Sequence, residues 1–256
     1  MLARIKKRDF AFDKKIKLLP ADWLNYNSLL ILNDKCLGMA EHWKFILHHS
    51  QRDAAKSLFY ANSNQHRVGH RVIRRNDNIV LSGQIVEKAY YLRYCVVLLQ
   101  SCGDKLAQLI RCSMDIKTWK SEKNKRIKAK ESTTTLMRLI THLTLSEKKD
   151  NILLADINSY LKNESVNRIL RLANEIKHKW ITSYQGEGLY PLRNPVRQEK
   201  DNKGNPVEVT AIGMTNGIDI ESHIADALIT NNMLVELAVK IDKLLLSKGT
   251  REGRNG

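Results

Sequence analysis

Asn163 to Trp180 reads NESVNRILRLANEIKHKW, and the period of this stretch decides the fold. Asn163 suits a helix N-cap, because its side-chain oxygen can accept a bond from an unpaired first-turn N–H. Glu164 follows it, placing a negative charge at the positive end of the helix dipole. Val166, Ile169, Leu170, Ala173, Ile176 and Trp180 then recur at helical spacing. At about 100° per residue they form one stripe that turns toward a core. Arg171, Asn174, Glu175 and His178 fall on roughly the opposite side. The stretch is therefore expected to be one helix of about four to five turns that buries one face.

That polar face has two readings. One is a solvated helix surface on which Arg171 and Glu175 pair at i,i+4. The other is a site, since an imidazole titrates near neutrality and a guanidinium is a fixed cation suited to phosphate.

The same period governs most of the chain. Helices are expected over Pro20–Asn33, Lys35–His49 and Arg52–Tyr60, then over a long run from Gly83 to Cys112. In that long run Ile85, Val86, Ala89, Leu92, Val96, Leu99, Gly103, Leu106 and Ile110 repeat every three or four residues, the mark of a helix packed along its length. Tyr90, Tyr91 and Tyr94 cluster near its start, either to stack on a base or to pack at a bundle end. Arg93 and Asp104 fall near its apolar face and call for partners. Shorter helices are expected over Thr133–Leu143 and Asp150–Leu161, with Asp150 as a cap. A final one runs from an Asp219 cap to about Leu246.

Between the motif helix and the last helix the sequence PVRQEKDNKGNPVEVTAIG places two extended runs around a turn composition. A β-hairpin is expected there, Val196–Lys200 with Val207–Ile212. The expectation is an all-α helical bundle with a small β-hairpin insertion before the last helix. Residues 1–78 read as an N-terminal helical extension with a basic connector, 79–247 as the bundle and 248–256 as a disordered tail.

Two features together, RLANEIKH at 171–178 and the long helix EKAYYLRYCVVLLQSCGDKLAQLI, resemble the HEPN superfamily (higher eukaryotes and prokaryotes nucleotide-binding). The likeness covers about residues 80–247. It implies a metal-independent endoribonuclease without a cofactor, of the kind found in toxin–antitoxin and antiviral defence systems, working at a homodimer cleft. An antitoxin or regulator is then a protein partner. Carried onto this chain, it implies that Arg171, Asn174 and His178 are the catalytic residues. His178 would serve as general acid or base, Arg171 would stabilise charge on the phosphate, and Asn174 would orient the phosphate or His178. The familiar form carries Arg directly before the Asn, where this chain has Ala173. Arg171 stands six residues short of His178, the outer limit of the family spacing. A non-catalytic module binding RNA, a nucleotide or a protein partner is the alternative.

Charge points the same way. The 256 residues carry a net +16, and the pI is near 9.7. That bias favours polyanionic partners, RNA first. Residues 117–130 hold seven Lys or Arg against Glu122 alone. They read as a mobile loop or an exposed helix start, in which Lys117, Lys120, Lys123, Lys125, Arg126 and Lys128 are candidate phosphate contacts. Asn62–Asn78 reads as a loop or a weak basic helix, with Arg71, Arg74 and Arg75 as further candidates. Residues 1–19 are a basic arm or a frayed, solvated start.

Cys36, Cys95, Cys102 and Cys112 form no CxxC. Cys95 and Cys102 would stand roughly 10 Å apart on one helix, too far to bridge. They read as buried thiols of a reducing compartment. His42, His48 and His49 point different ways on a helix, so no metal site is read from them. No run is long and apolar enough for a membrane span, and a cytoplasmic location is expected. Walker, Rossmann, GxSxG and HExxH patterns are missing from the sequence.

Overall fold

The computed structural model describes residues 15–24, 35–63, 72–74, 80–120, 126–146, 151–178, 184, 197–200, 206–209 and 219–252. Among these the chain forms six α-helices: α1 (Lys35–Asn62), α2 (Gly83–Ser113), α3 (Leu136–Leu145), α4 (Asn151–Lys162), α5 (Glu164–His178) and α6 (Ile220–Glu252). Three antiparallel hairpins interrupt them: β1 (Val72–Arg74) with β2 (Val80–Ser82), β3 (Thr118–Lys120) with β4 (Arg126–Lys128), and β5 (Arg197–Lys200) with β6 (Pro206–Val209). The architecture is an all-α bundle, with the expected small hairpin before the last helix.

Helix α2 is the centre of the bundle. Leu92, Cys95, Val96, Leu99, Cys102, Leu106 and Ile110 are fully buried along it. Residues of α1 through α6 join these in one hydrophobic core. Each buried Leu or Ile contributes about 1.5–3 kcal/mol on the area-burial scale, an upper range before chain entropy is set against it. The thiols of Cys95, Cys102 and Cys112 are free and buried. Burial pushes Cys102 up to about 12, so it stays a thiol. The helix ends with Asp115 in the left-handed region (φ 48°). There the Ile116 N–H reaches back to the Arg111 carbonyl at 3.0 Å, closing the last turn.

Five expectations from the sequence are corrected. Helix α1 is one helix from Lys35 to Asn62 rather than two. The polar Gln51, which breaks the apolar period, is fully buried and hydrogen-bonded. The basic connector over 62–78 contains strand β1, paired with β2 from Val72↔Ser82 to Arg74↔Val80. The basic stretch 117–130 is neither a loop nor a helix start, but the β3–β4 hairpin. Trp119 explains this: it is 2% exposed, packs edge-on against His142 of α3, and anchors a segment otherwise too polar to fold. The C-terminal tail continues as helix α6 to Glu252, with 253–256 outside the described residues. Finally, Ala21–Leu24 forms a 3-10 turn where a helix over Pro20–Asn33 is expected, and 25–34 lie outside the described residues.

Smaller differences are of register. Hairpin β5–β6 pairs Arg197↔Val209 through Lys200↔Pro206, within the expected limits. Helix α3 begins at Leu136 with Thr135 as its cap, after a 3-10 turn at Glu131–Thr133. The expected Asp150 cap and Trp180 lie outside the described residues. Asp219 caps α6 as expected, its carboxylate accepting the Glu221 N–H at 3.2 Å.

The segment Lys15–Leu19 is held, not frayed. Gln51 Oε1 accepts the Leu19 N–H at 3.1 Å, and Gln51 Nε2 donates to the Lys17 carbonyl at 3.0 Å and to Asn231 Oδ1 at 2.9 Å. Asn231 Nδ2 donates to the same Lys17 carbonyl at 2.9 Å. On α6, Asn232 accepts the Lys17 N–H and donates to the Lys15 carbonyl. Nearby, the buried Lys44 ammonium pairs with Asp242 at 2.9 Å and lies over the Trp23 ring.

Replacing Gln51 with Ala leaves buried groups of Asn231 and the strap unmatched. The expected cost is about 1–3 kcal/mol in urea denaturation, with an unchanged m value. A loss below about 0.5 kcal/mol would mean the strap is not seated on α1 and α6.

Candidate functional site

Helix α5 starts as its first residues dictate. Asn163 Oδ1 accepts the N–H groups of Ser165 at 3.0 Å and Val166 at 3.3 Å. Val166, Ile169, Leu172 and Ala173 are buried, and Leu170 and Ile176 are half-buried. Measured from Ile169 at about 100° per residue, Arg168 and Glu175 fall on one edge of this face, and Lys177 and Asn174 toward the other. Arg171 and His178 stand on the far side, and both are exposed.

Each edge meets a different helix. Arg168 Nε and Nη2 grip Asp226 of α6 in a two-pronged pair at 2.7 and 2.8 Å. On the other edge, Gln100 of α2 donates from Nε2 to Asn174 Oδ1 at 2.6 Å. Lys177 lies within electrostatic reach of Asp104, whose carboxyl is raised by burial against the opposing pull of Lys177 and Lys105. Helix α5 thus bridges α6 and α2, and its rotation is fixed from both sides.

The expected stripe is therefore only partly free. Asn174 is exposed but engaged by Gln100, which leaves its Nδ2 donors on the outer side. Glu175 is half-buried and turned toward His223 of α6. The Arg171–Glu175 pair does not form among the described residues; the i,i+4 pair on this helix is Glu164 with Arg168, at 3.5 Å. Arg171 and His178 remain outward, two turns or about 10 Å apart along the axis.

The basic candidates lie on other elements. Lys117 is exposed and paired with Asp115 at 3.0 Å. Lys120 sits in β3, its N–H donating to His142 Nδ1 at 3.2 Å and its ammonium to the Leu145 carbonyl at 3.3 Å. Arg126 and the exposed Lys128 are in β4. This hairpin is carried by α3 rather than α5. Arg74 is in β1, while Lys123, Lys125, Arg71 and Arg75 lie outside the described residues.

A second polar cluster escaped the sequence reading. His223 Nδ1 lies 3.3 Å from the buried Tyr184 hydroxyl, and the Arg93 guanidinium covers the Tyr184 ring at 5.4 Å. This is the partner that Arg93 called for. Burial lowers the His223 imidazole below its usual range. Asp226, Glu175 and Asp219 oppose that shift, and Arg168 adds to it. Tyr184 and Asp226 lie far from α5 in sequence, and only a charged residue facing a core (Asp226 is 6% exposed) could have signalled the cluster.

Among the described residues no group of three His, Cys, Asp or Glu is arranged to hold a metal ion, and no helix is long and apolar enough to cross a membrane. No protein-family model matches the chain, no curated protein matches it, and no solved structure matches it.

The Arg168–Asp226 pair has a pH signature. The hydrogen bond from Arg168 holds the Asp226 carboxyl below its ordinary value, with burial opposing. Its contribution to stability is complete above the unfolded value near about 4 and is lost as pH falls through the depressed folded value. Asp226→Asn is expected to be less stable at pH 7 and to show a flatter acid limb in denaturation followed between about pH 2 and 5. An acid limb identical to that of the wild type would place the pair outside the folding linkage.

Proposed function

We propose that this protein is a HEPN-like, metal-independent endoribonuclease whose working surface is the outer face of α5. The observation that carries this reading is the outward placement of Arg171 and His178, with Asn174 held beside them by Gln100. An imidazole in water titrates near neutrality and can exchange a proton at working pH. A guanidinium on a long stem reaches phosphate oxygens and stabilises charge that builds there. The Nδ2 donors of Asn174 supply a neutral hydrogen bond to the same phosphate.

The reaction is internal transesterification of RNA. His178 takes the proton of a 2′-hydroxyl, and the 2′ oxygen attacks the adjacent phosphorus. The P–O5′ bond breaks, the 5′ oxygen leaves with a proton from solvent or from a second acid, and a 2′,3′-cyclic phosphate remains. A face that points away from its own core is suited to meet a second copy, so a homodimer is part of the reading. The net charge of +16 draws the polyanion in. A role in defence, with an antitoxin-like or regulatory protein partner, extends the same resemblance.

A binding module without cleavage is the second reading, and Ala173 favours it. The resemblance puts the motif Arg at this position, where Ala173 is fully buried. A guanidinium could not be displayed there. Moreover, among the described residues neither Arg171 nor His178 has a hydrogen-bond partner that orients it for chemistry.

Incubation with mixed RNA in EDTA separates the two. Wild type is expected to produce cyclic-phosphate ends, with His178→Ala and Arg171→Ala each slower by about 10²-fold or more. Cleavage surviving His178→Ala would remove the chemistry from α5. RNA binding without cleavage by any form would establish the binding module.

A further inference from the structure

Helix α2 presents three different sides. Arg93, Gln100 and Asp104 share one side at about 100° per residue, which meets Tyr184 and α5. Tyr91, Leu98 and Lys105 lie roughly 150° round it. This side meets α1: Tyr91 packs on Tyr60 at 4.9 Å, and the Lys105 ammonium reaches Ser50 at 2.7 Å. A third side carries the fully buried Leu92, Leu99 and Leu106. The remaining arc, between α5 and α1, holds Val86, Tyr90, Tyr94, Val97 and Ser101.

This arc is open. Tyr90 is 66% exposed, Tyr94 52% and Val86 39%. Tyr90 is also braced, with its ring edge-on to Tyr91 at 5.4 Å and Tyr91 in turn packed on Tyr60. Tyr90 and Tyr94 are four residues apart, a rise of about 6 Å along the axis. That gap is close to two stacking distances of about 3.4 Å each, the room one flat base takes between two rings. The arc borders the α2 side that holds Asn174, so an occupant of it runs beside Arg171, Lys177 and His178.

We infer that the exposed Tyr90–Tyr94 ladder in the trough between α1 and α5 is a stacking platform for the unpaired bases of single-stranded RNA. The inference rests on the reading of α5 as an RNA-facing surface and names the class of RNA that surface takes. Tyrosine faces accept any base, so the preference is for strandedness rather than sequence. Duplex RNA keeps its bases stacked on each other and cannot use the rings. Charge complementarity favours RNA over an apolar peptide: the exposed cations Arg171 and Lys177 on α5 border the trough, and the chain carries +16.

The test is binding of a fluorescently labelled single-stranded RNA 12-mer, and of the same strand annealed to its complement, across a salt series. Tyr90→Ala and Tyr94→Ala are each expected to weaken the single strand about tenfold. Duplex affinity should stay the same, and so should the slope of log K against log salt, because no phosphate contact is removed. Tyr90→Phe should recover most of what Tyr90→Ala loses, and Arg171→Ala should flatten the salt slope. If the double alanine variant binds the single strand as the wild type does, the platform is wrong while the α5 reading stands. Equal losses for single strand and duplex would also overturn it. If folded wild type binds neither RNA, both readings fall together.

Discussion

A carboxylate placed on the inner side of a helix must find a cation, and Asp226 finds Arg168. Both oxygens of a largely buried Asp226 are taken by the planar guanidinium fork, a geometry that a lysine could not reproduce. The pair does more than neutralise a charge. It fixes the rotation of α5 at its N-terminal half, and the bond from Gln100 to Asn174 fixes it further along. With both edges of the helix committed, the apolar face can only turn inward, and Arg171 and His178 can only turn out. The surface proposed to meet RNA is a consequence of two polar contacts that themselves stay away from it.

The parts of this fold that could be read from sequence are those set by local chemistry. The 3.6-residue period of α2, the caps at Asn163 and Asp219, and the turn composition between β5 and β6 each depend on residues a few positions apart. What stayed hidden depends on contacts across the chain. Gln51 looks like a break in an amphipathic pattern because its partners, Leu19, Lys17 and Asn231, lie up to 180 residues away. The β3–β4 hairpin looks like a solvated basic run because only Trp119 ties it down, against a histidine on α3. The candidate site divides the same way. The outward face of α5 was legible from periodicity. The Tyr184–His223–Arg93 cluster was not, because it gathers residues from α2, α6 and an isolated position between α5 and α6.

The sequence also placed four polar residues on one stripe, which the structure sorts by edge. Asn174 leans to α2 and Glu175 to α6, each about 40–60° from the line of Arg171 and His178. Such a difference is small on a helical wheel but decides which neighbour a side chain meets. It removes Glu175 as the partner of Arg171, and so the guanidinium is not drawn into a surface pair on its own helix. It also gives Asn174 a defined orientation, with its acceptor spent on Gln100 and its donors left for an anion.

The position of Ala173 then acquires a physical meaning. About 40° from the centre of the buried face, it is a place where a long cation would have to cross the core to reach solvent, at a desolvation cost that its stem could not avoid. Position 171 lies almost directly in line with His178, two turns earlier. A cation there reaches along the outer surface of the helix rather than around it. The longer spacing in this chain is thus the one compatible with the way α5 is seated. If phosphate is held on this face, the reach of a flexible arginine over about 10 Å, not its absence from position 173, is what limits how well the charge meets it.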